Sequence, residues 1–161
     1  MFNSPTFGKR SPNQLVQDIT KYIQADDQAS YRLIIGSDSH LRGVKSKSYL
    51  RLVTAIVIHK LGFGGRYFWQ LQKSTVPKSI RDKIYQETLA SIETAKVFLP
   101  QLNQTLNGNG HYDLEIHIDV GRQGKTRDMI KEVVGIVTGN GFIAKTKPES
   151  YGASKIADKH T

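Results

Sequence analysis

The hydrophobic pattern in the first half of the chain predicts one helix followed by three strands. Ser11 and Pro12 precede apolar residues at helical spacing, which is typical of a helix start. Residues 31–39 and 49–60 are rich in β-branched and other apolar side chains and predict two strands. A glycine-rich turn then leads to residues 66–73, which alternate as a third strand does. Three consecutive strands with short connections predict an antiparallel meander.

In the second half, segments with the helical period of 3.6 residues alternate with short apolar runs. The glycines on either side of Asn140 stop one of the helices, because glycine favours the backbone conformation that ends a helix. The predicted elements are a helix at 79–99, a strand at 114–121, a helix at 129–137, a strand at 142–147 and a helix at 150–160.

These elements predict one α/β domain over residues 1–161, with residues 1–30 as an N-terminal helical extension. The expected sheet is mixed and five-stranded, with three antiparallel strands followed by a β-α-β-α arrangement. Helices flank it. No linker, repeat or low-complexity segment interrupts this order.

The composition excludes several classes of protein. The chain has no cysteine, which excludes disulfides, thiol nucleophiles and cysteine-containing zinc sites and agrees with a reducing compartment. The longest apolar run, residues 52–58, is too short to cross a membrane. Residues 1–14 lack the apolar core of a signal peptide. We therefore expect a cytoplasmic protein with no membrane contact.

The positive charge is concentrated in residues 39–81. This segment has nine Lys and Arg residues and no Asp or Glu, which leaves 14 basic against 14 acidic residues elsewhere, so the formal net charge of +9 falls within it. It also contains Tyr49, Tyr67, Phe68 and Trp69. Localised positive charge with aromatic residues is typical of a surface that binds a polyanion, most commonly nucleic acid. A solvated basic face is the alternative.

Four acidic residues occupy positions that are unusual for solvated charges. Asp38 and Asp119 follow apolar residues at the ends of predicted strands, where open α/β sheets bind their ligands. Glu87 shares the apolar face of its predicted helix, whereas Glu93 points away. Asp158 follows two apolar residues of the terminal helix. Converging carboxylates hold hard divalent cations, although any one of these acids alone is more typical of a cap or an ion pair.

The order of elements, the positions of these acids and three local strings together resemble a known family. The strings IIGSDSH, IHIDVGRQGKTRDMIKEVVG and KPESYGASKIADKHT are similar to the YkuK-type family of bacterial ribonuclease H-like proteins. The resemblance covers residues 31–161 and implies a ribonuclease H-like fold, with the N-terminal helix as an addition.

The resemblance also implies a chemistry, namely cleavage of nucleic-acid phosphodiester bonds by two ions of Mg²⁺ or Mn²⁺. The substrate would be DNA, RNA or a hybrid. Glu149 is an alternative to the last of the four implied acids. The metal-binding and catalytic acids implied by the fold are Asp38, Glu87, Asp119 and Asp158.

The chain between Asp119 and Thr126 also resembles a phosphate-binding loop of NTPases, except that Asp119 stands where the pattern has glycine. Because no later strand ends in an acid, an NTPase is the weaker hypothesis. A nucleic-acid-binding module without catalysis is the other alternative. The basic residues expected to contact the nucleic-acid backbone are Arg42, Lys45, Lys47, Arg51, Arg122, Lys125 and Arg127.

Three histidines lie near the candidate acids in the sequence. His40 and His160 are close enough along the chain to act as proton shuttles for the leaving group. His117 is expected on the same strand face as Asp119, and we interpret it as a structural histidine rather than a ligand. Asp38, Ser39 and His40 do not form a hydrolase triad, because neighbours on a strand point to opposite faces.

Overall fold

A computed structural model describes the backbone of residues 1–161 and all side chains except those of Lys45, Tyr151 and Ser154. Short 3-10 turns occur at Lys45–Lys47 and Arg127–Met129. The strands and helices are β1 (Phe2–Ser4), β2 (Gly8–Arg10), α1 (Pro12–Gln24), β3 (Tyr31–Arg42), β4 (Tyr49–Lys60), β5 (Gly64–Ser74), α2 (Ile80–Leu106), β6 (Asp113–His117), α3 (Ile130–Gly139), β7 (Ala144–Lys145) and α4 (Tyr151–His160).

The strands form one mixed sheet in the order β2-β1-β5-β4-β3-β6-β7. Strands β3, β4 and β5 are antiparallel, whereas β3 and β6, and β6 and β7, pair in parallel. This confirms the predicted class, a mixed sheet of three antiparallel strands followed by β-α-β-α. The sheet has seven strands rather than five, because residues 2–10 form a small antiparallel hairpin beside β5. Its three-residue strands are too short to show a period in the sequence.

Helices cover both faces of the sheet. Helices α1 and α2 bury their apolar sides against one face, where the core includes Leu15, Leu33 and Phe68. Helix α4 packs on the opposite face, where Ala153 and Ala157 contact a smaller apolar cluster of β3 and β4. The start of α1 is as predicted, because Pro12 is its first residue and the N-cap serine forms a reciprocal capping box.

Helix α2 is longer than the sequence pattern predicts. The prediction ended at residue 99, but the helix continues through Pro100 to Leu106. An interior proline costs a helix about 3 kcal/mol. The two leucines beyond it, Leu102 and Leu106, are buried in the core, and each contributes roughly 1.5–3 kcal/mol. Burial of apolar surface therefore outweighs the proline.

The strand ends near the candidate acids also differ from the prediction. Strand β3 pairs with β4 as far as Arg42, but its parallel pairing with β6 stops at Gly36 opposite His117. Asp119 therefore lies two residues past the end of β6 rather than on it. In the described backbone, the part of β3 that carries Asp38 has a neighbouring strand on only one side. This leaves an open edge at which side chains from both faces of the sheet can meet.

Among the residues that the structure describes, no helix combines the length and apolar character needed to cross a membrane.

Candidate functional site

Strand β3 sends its side chains alternately to the two helical layers. Ser37 hydrogen bonds at 2.8 Å to Ser91 of α2, and Ser39 donates a 2.6 Å hydrogen bond to Glu87 of the same helix. Asp38 therefore lies on the opposite side, the α4 side of the strand. Although Asp38 is buried, it lies at the open edge left by the end of β6.

On the α4 side, Asp38 meets two residues that can bind a metal ion. The His40 Nδ1 atom is 3.4 Å from Asp38 Oδ2. Asp158 of α4 joins them, and the three residues offer ligand atoms that lie within 4.8 Å of one another. Thr161 also donates a 3.3 Å hydrogen bond from its hydroxyl to Asp38 Oδ2. The structure thus brings together Asp38 and Asp158, whereas Glu149 is exposed in the loop before α4.

On the α2 side, a lysine ammonium lies between two of the acids. Lys83 Nζ is 2.7 Å from Glu87 Oε1, one helical turn away, and 3.8 Å from Asp38 Oδ1. Glu87 is only 5% exposed, and Glu93 is exposed, as the helical phasing predicts. Lys83 precedes Glu87 by four residues, a spacing in the sequence that signals such a pair, but the predicted site did not include Lys83.

Burial controls the charges of these groups. Burial raises the pKa of Glu87, and the Lys83 ammonium and the Ser39 hydroxyl only partly oppose it. The pKa of Asp38 is also raised by burial, against the opposing effects of Lys83 and His40. Burial alone would lower the pKa of Lys83, but the negative charges of Glu87, Asp38 and Asp119 outweigh it and raise the pKa. The cluster therefore favours a cation between its carboxylates.

Asp119 has a different environment from the other acids. Its Oδ1 atom is 2.7 Å from Lys147 Nζ, and more than a third of its side chain is exposed. The chain between Asp119 and the first turn of α3 is a loop and a 3-10 turn, so α3 starts only at Ile130. A phosphate-binding loop leads directly into its helix with the Lys-Thr pair in the first turn. Lys125 and Thr126 are not in that position.

Two arginines expected to bind nucleic acid hold the end of α4. Arg42 donates a 2.7 Å hydrogen bond to the backbone oxygen of Thr161, and Arg51 donates one of 3.1 Å to that of His160. The His160 ring stacks on Trp69 with ring centres 3.7 Å apart. His160, considered above as a proton shuttle, is thus part of this anchor, and the anchor holds α4 where Asp158 faces Asp38.

The other basic residues are more dispersed than the sequence suggests. Lys60 pairs with Asp26, and Arg81 pairs with Glu132, so acidic residues from outside the basic segment neutralise part of it. The side chain of Lys45 lies outside the described residues. The predicted nucleic-acid contacts that are exposed and not engaged with the end of α4 are Lys47, Arg122, Lys125 and Arg127.

His117 is buried and belongs to the scaffold. Its Nε2 atom is 2.9 Å from Glu115 Oε2, and Glu115 also pairs with Arg32. Burial lowers the pKa of His117, which Glu115 only partly opposes. The expected interpretation as a structural histidine agrees with this environment.

The donor set fits a divalent cation. Asp38, His40 and Asp158 supply two carboxylates and one imidazole at the open edge of the sheet, at the carboxyl end of a strand in a mixed α/β sheet. Mg²⁺ prefers oxygen ligands, whereas transition-metal ions also bind imidazole, so the imidazole in the set favours an ion such as Mn²⁺ over Mg²⁺. Neither the fold nor the donor set by itself specifies the reaction.

Comparisons with known proteins agree with this fold. Residues 14–161 match the family model described as ribonuclease H-like. The chain is also 34% identical, over 159 aligned positions, to the "Uncharacterized protein YkuK" of Bacillus subtilis (strain 168). The alignment covers 91% of this chain and 88% of that relative. No solved structure gives a match. The class is therefore ribonuclease H-like. Within it, the chain belongs to the YkuK-type family, as its local strings indicated.

Proposed function

We propose that this protein is a divalent-metal-dependent nuclease that cleaves phosphodiester bonds of nucleic acid. The observation that supports this most directly is the convergence of Asp38, His40 and Asp158 at the open edge of β3 in a ribonuclease H-like fold. A bound divalent ion supplies an activated water and neutralises charge that develops on the phosphate. The family implies two ions, but the Lys83 ammonium already lies beside Asp38 and Glu87, two of the acids that would hold them.

The residues of the site have distinct roles in this proposal. Asp38 and Asp158 hold the ion, with His40, whose side chain is about half exposed, as the third ligand. Glu87 holds Lys83 beside Asp38. Arg122, Lys125 and Arg127 lie in the loop and the 3-10 turn that follow Asp119 and are exposed, so they can contact the phosphates of a bound strand. Asp119 pairs with Lys147, and its charge contributes to raising the pKa of Lys83.

Labelled single-stranded RNA, single-stranded DNA and a hybrid, each incubated with Mn²⁺, Mg²⁺ or chelator, test the proposal. We expect cleavage of at least one substrate with Mn²⁺ and none with chelator, and Asp38→Asn should abolish it. Glu87→Gln should reduce the rate by about tenfold or more, because it releases Lys83. Glu93→Gln is the matched control on the exposed face of α2, and we expect wild-type cleavage from it.

The second candidate is a nucleic-acid-binding module without catalysis. Lysines already neutralise acids that the family would use for a metal, since Lys83 contacts Glu87 and Lys147 contacts Asp119. A pure binding module would retard nucleic acid equally in Mn²⁺ and in chelator and would cleave none of the substrates. The same assay therefore separates the two candidates.

A further inference from the structure

The two oxygens of Asp38 face different surroundings. Oδ2 is directed to His40 and Thr161 on the α4 side, at 3.4 Å and 3.3 Å. Oδ1 is directed to Lys83 on the α2 side, at 3.8 Å. Asp38 thus divides the acidic cluster into a half with Asp158 and His40 and a half with Glu87 and Lys83.

The half with Glu87 already contains a cation. Lys83 Nζ is 2.7 Å from Glu87 Oε1, which also accepts the 2.6 Å hydrogen bond from Ser39. Two thirds of the Lys83 side chain is shielded from solvent, so its charge is only weakly screened. A divalent ion placed between Asp38 and Glu87 would therefore have to displace this ammonium or accept its repulsion at close range.

The charges of the cluster are consistent with one divalent ion. When ionised, Asp38, Glu87 and Asp158 carry three negative charges, and Lys83 carries one positive charge. The remaining two negative charges equal the charge of one divalent ion. Asp119 does not change this balance, because Lys147 lies 2.7 Å from its carboxylate.

We propose that Lys83 serves as a built-in second cation, so that the site binds a single divalent ion, on the side of Asp38 that faces Asp158 and His40. The inference deepens the proposed function and rests on it for the identity of the site. The ammonium holds Glu87 and one oxygen of Asp38, and it leaves the other oxygen of Asp38 for the ion. In this respect the chain departs from the pair of ions that its fold family implies.

Counting bound Mn²⁺ tests the inference independently of activity. Calorimetric titration, supported by electron paramagnetic resonance of free Mn²⁺, should give one ion per chain for the wild type. Lys83→Met, which keeps the length of the side chain and removes its charge, should bind two. Adding Glu87→Gln to Lys83→Met should return the count to one, because the second ion then lacks a ligand. Lys83→Arg should retain a count of one.

Lys96→Met is the matched control, because it removes the same charge from an exposed position on the same helix and should leave the count at one. Circular dichroism and thermal melting establish that each variant folds. If Lys83→Met does not fold, Lys83→Gln replaces it in the titration. Two ions in the wild type, or one in both wild type and Lys83→Met, would overturn the inference. One ion in the wild type and two in Lys83→Met without any cleavage would support it while contradicting the proposed nuclease. No binding to any variant would overturn both.

Discussion

Arg42 at the end of β3 donates a 2.7 Å hydrogen bond to the backbone oxygen of Thr161, directly after the last turn of α4. Asp38 lies four residues earlier on the same strand, and Thr161 donates its hydroxyl to that carboxylate. The end of one strand therefore holds both the acid at the centre of the site and the helix that supplies Asp158. An arginine predicted from sequence to bind nucleic acid instead supports the helix that carries Asp158.

We expect the double variant Arg42→Met with Arg51→Met to bind Mn²⁺ about tenfold more weakly than the wild type. Each arginine donates a charge-assisted hydrogen bond to α4 that is worth roughly 1.5–3 kcal/mol, and part of that loss appears as misplacement of Asp158. Titration with Mn²⁺ measures the affinity of the double variant and of the wild type. Lys47→Met is the control, because Lys47 is exposed and lies between β3 and β4. Unchanged affinity in the double variant would contradict the anchoring role.

Asp158→Asn and Asp119→Asn should differ in how much stability a bound metal ion adds to the folded protein. At a hundred times its dissociation constant, a metal that binds only the folded state adds about 2.7 kcal/mol of stability. Asp158→Asn should lose most of this increment, because Asp158 belongs to the cluster with Asp38. Asp119→Asn should keep most of it and lose at most about 1 kcal/mol from its half-exposed pair with Lys147. Thermal melts in chelator and in excess Mn²⁺ measure both, and equal losses would refute the distinction.

Removal of the exposed cations near α3 should weaken binding to nucleic acid and flatten its salt dependence. Each phosphate contact contributes a slope of about −0.7 to −0.9 in a plot of log affinity against log salt. For Arg122→Ala with Lys125→Ala we therefore expect a slope smaller in magnitude by roughly 1.4–1.8. Fluorescence anisotropy with chelator present measures it. Lys9→Ala with Lys21→Ala removes the same charge from α1 and the preceding hairpin, and an equal change there would indicate a nonspecific effect.

The buried His117 should make the fold less stable as the pH falls. Burial lowers the pKa of the folded imidazole, so between the ordinary value near 6.5 and this lower value the unfolded chain binds a proton that the folded chain does not. The stabilising contribution is therefore present above pH 6.5 and is lost as the pH falls through this window. Urea unfolding of wild type and His117→Gln, from pH 8 to pH 5 in chelator, should show a difference that shrinks with acid.

A variant of exposed His111 controls for loss of a histidine in general. The comparison is made between variants at each pH because the raised pKa values of Asp38 and Glu87 act in the opposite direction. Their folded forms take up protons first, so their contribution to the stability of the metal-free protein falls as the pH climbs from about 4 through the raised values. A difference between wild type and His117→Gln that is independent of pH would refute the role assigned to His117.

Patterns of a few residues determined much of the fold. The β-branched run of β4, the capping sequence before α1 and the helical phase of Glu87 are local properties, because the periods of strands and helices decide which side chains are buried. The sequence also placed Asp38 beyond the apolar residues of β3, although the strand itself continues to Arg42. Local patterns predicted the ends of helices and strands less accurately than their interiors. Buried leucines carry α2 past Pro100, and β6 ends before Asp119 because its pairing with β3 stops at Gly36.

Only the tertiary structure decided which charges meet. Arg42 and Thr161 are 119 residues apart along the chain, Asp38 and Thr161 are 123 apart, and no sequence period relates such partners. From sequence alone, four acids were expected to form one metal site, with Glu149 as an alternative to Asp158, and the basic residues were expected to contact nucleic acid. The folded chain gives Glu87 and Asp119 lysine partners, groups Asp158 and His40 with Asp38, and uses Arg42 and Arg51 to hold α4. The physical reason is that electrostatic interactions depend on distance and burial, which the packing of α2 and α4 on opposite faces of β3 determines.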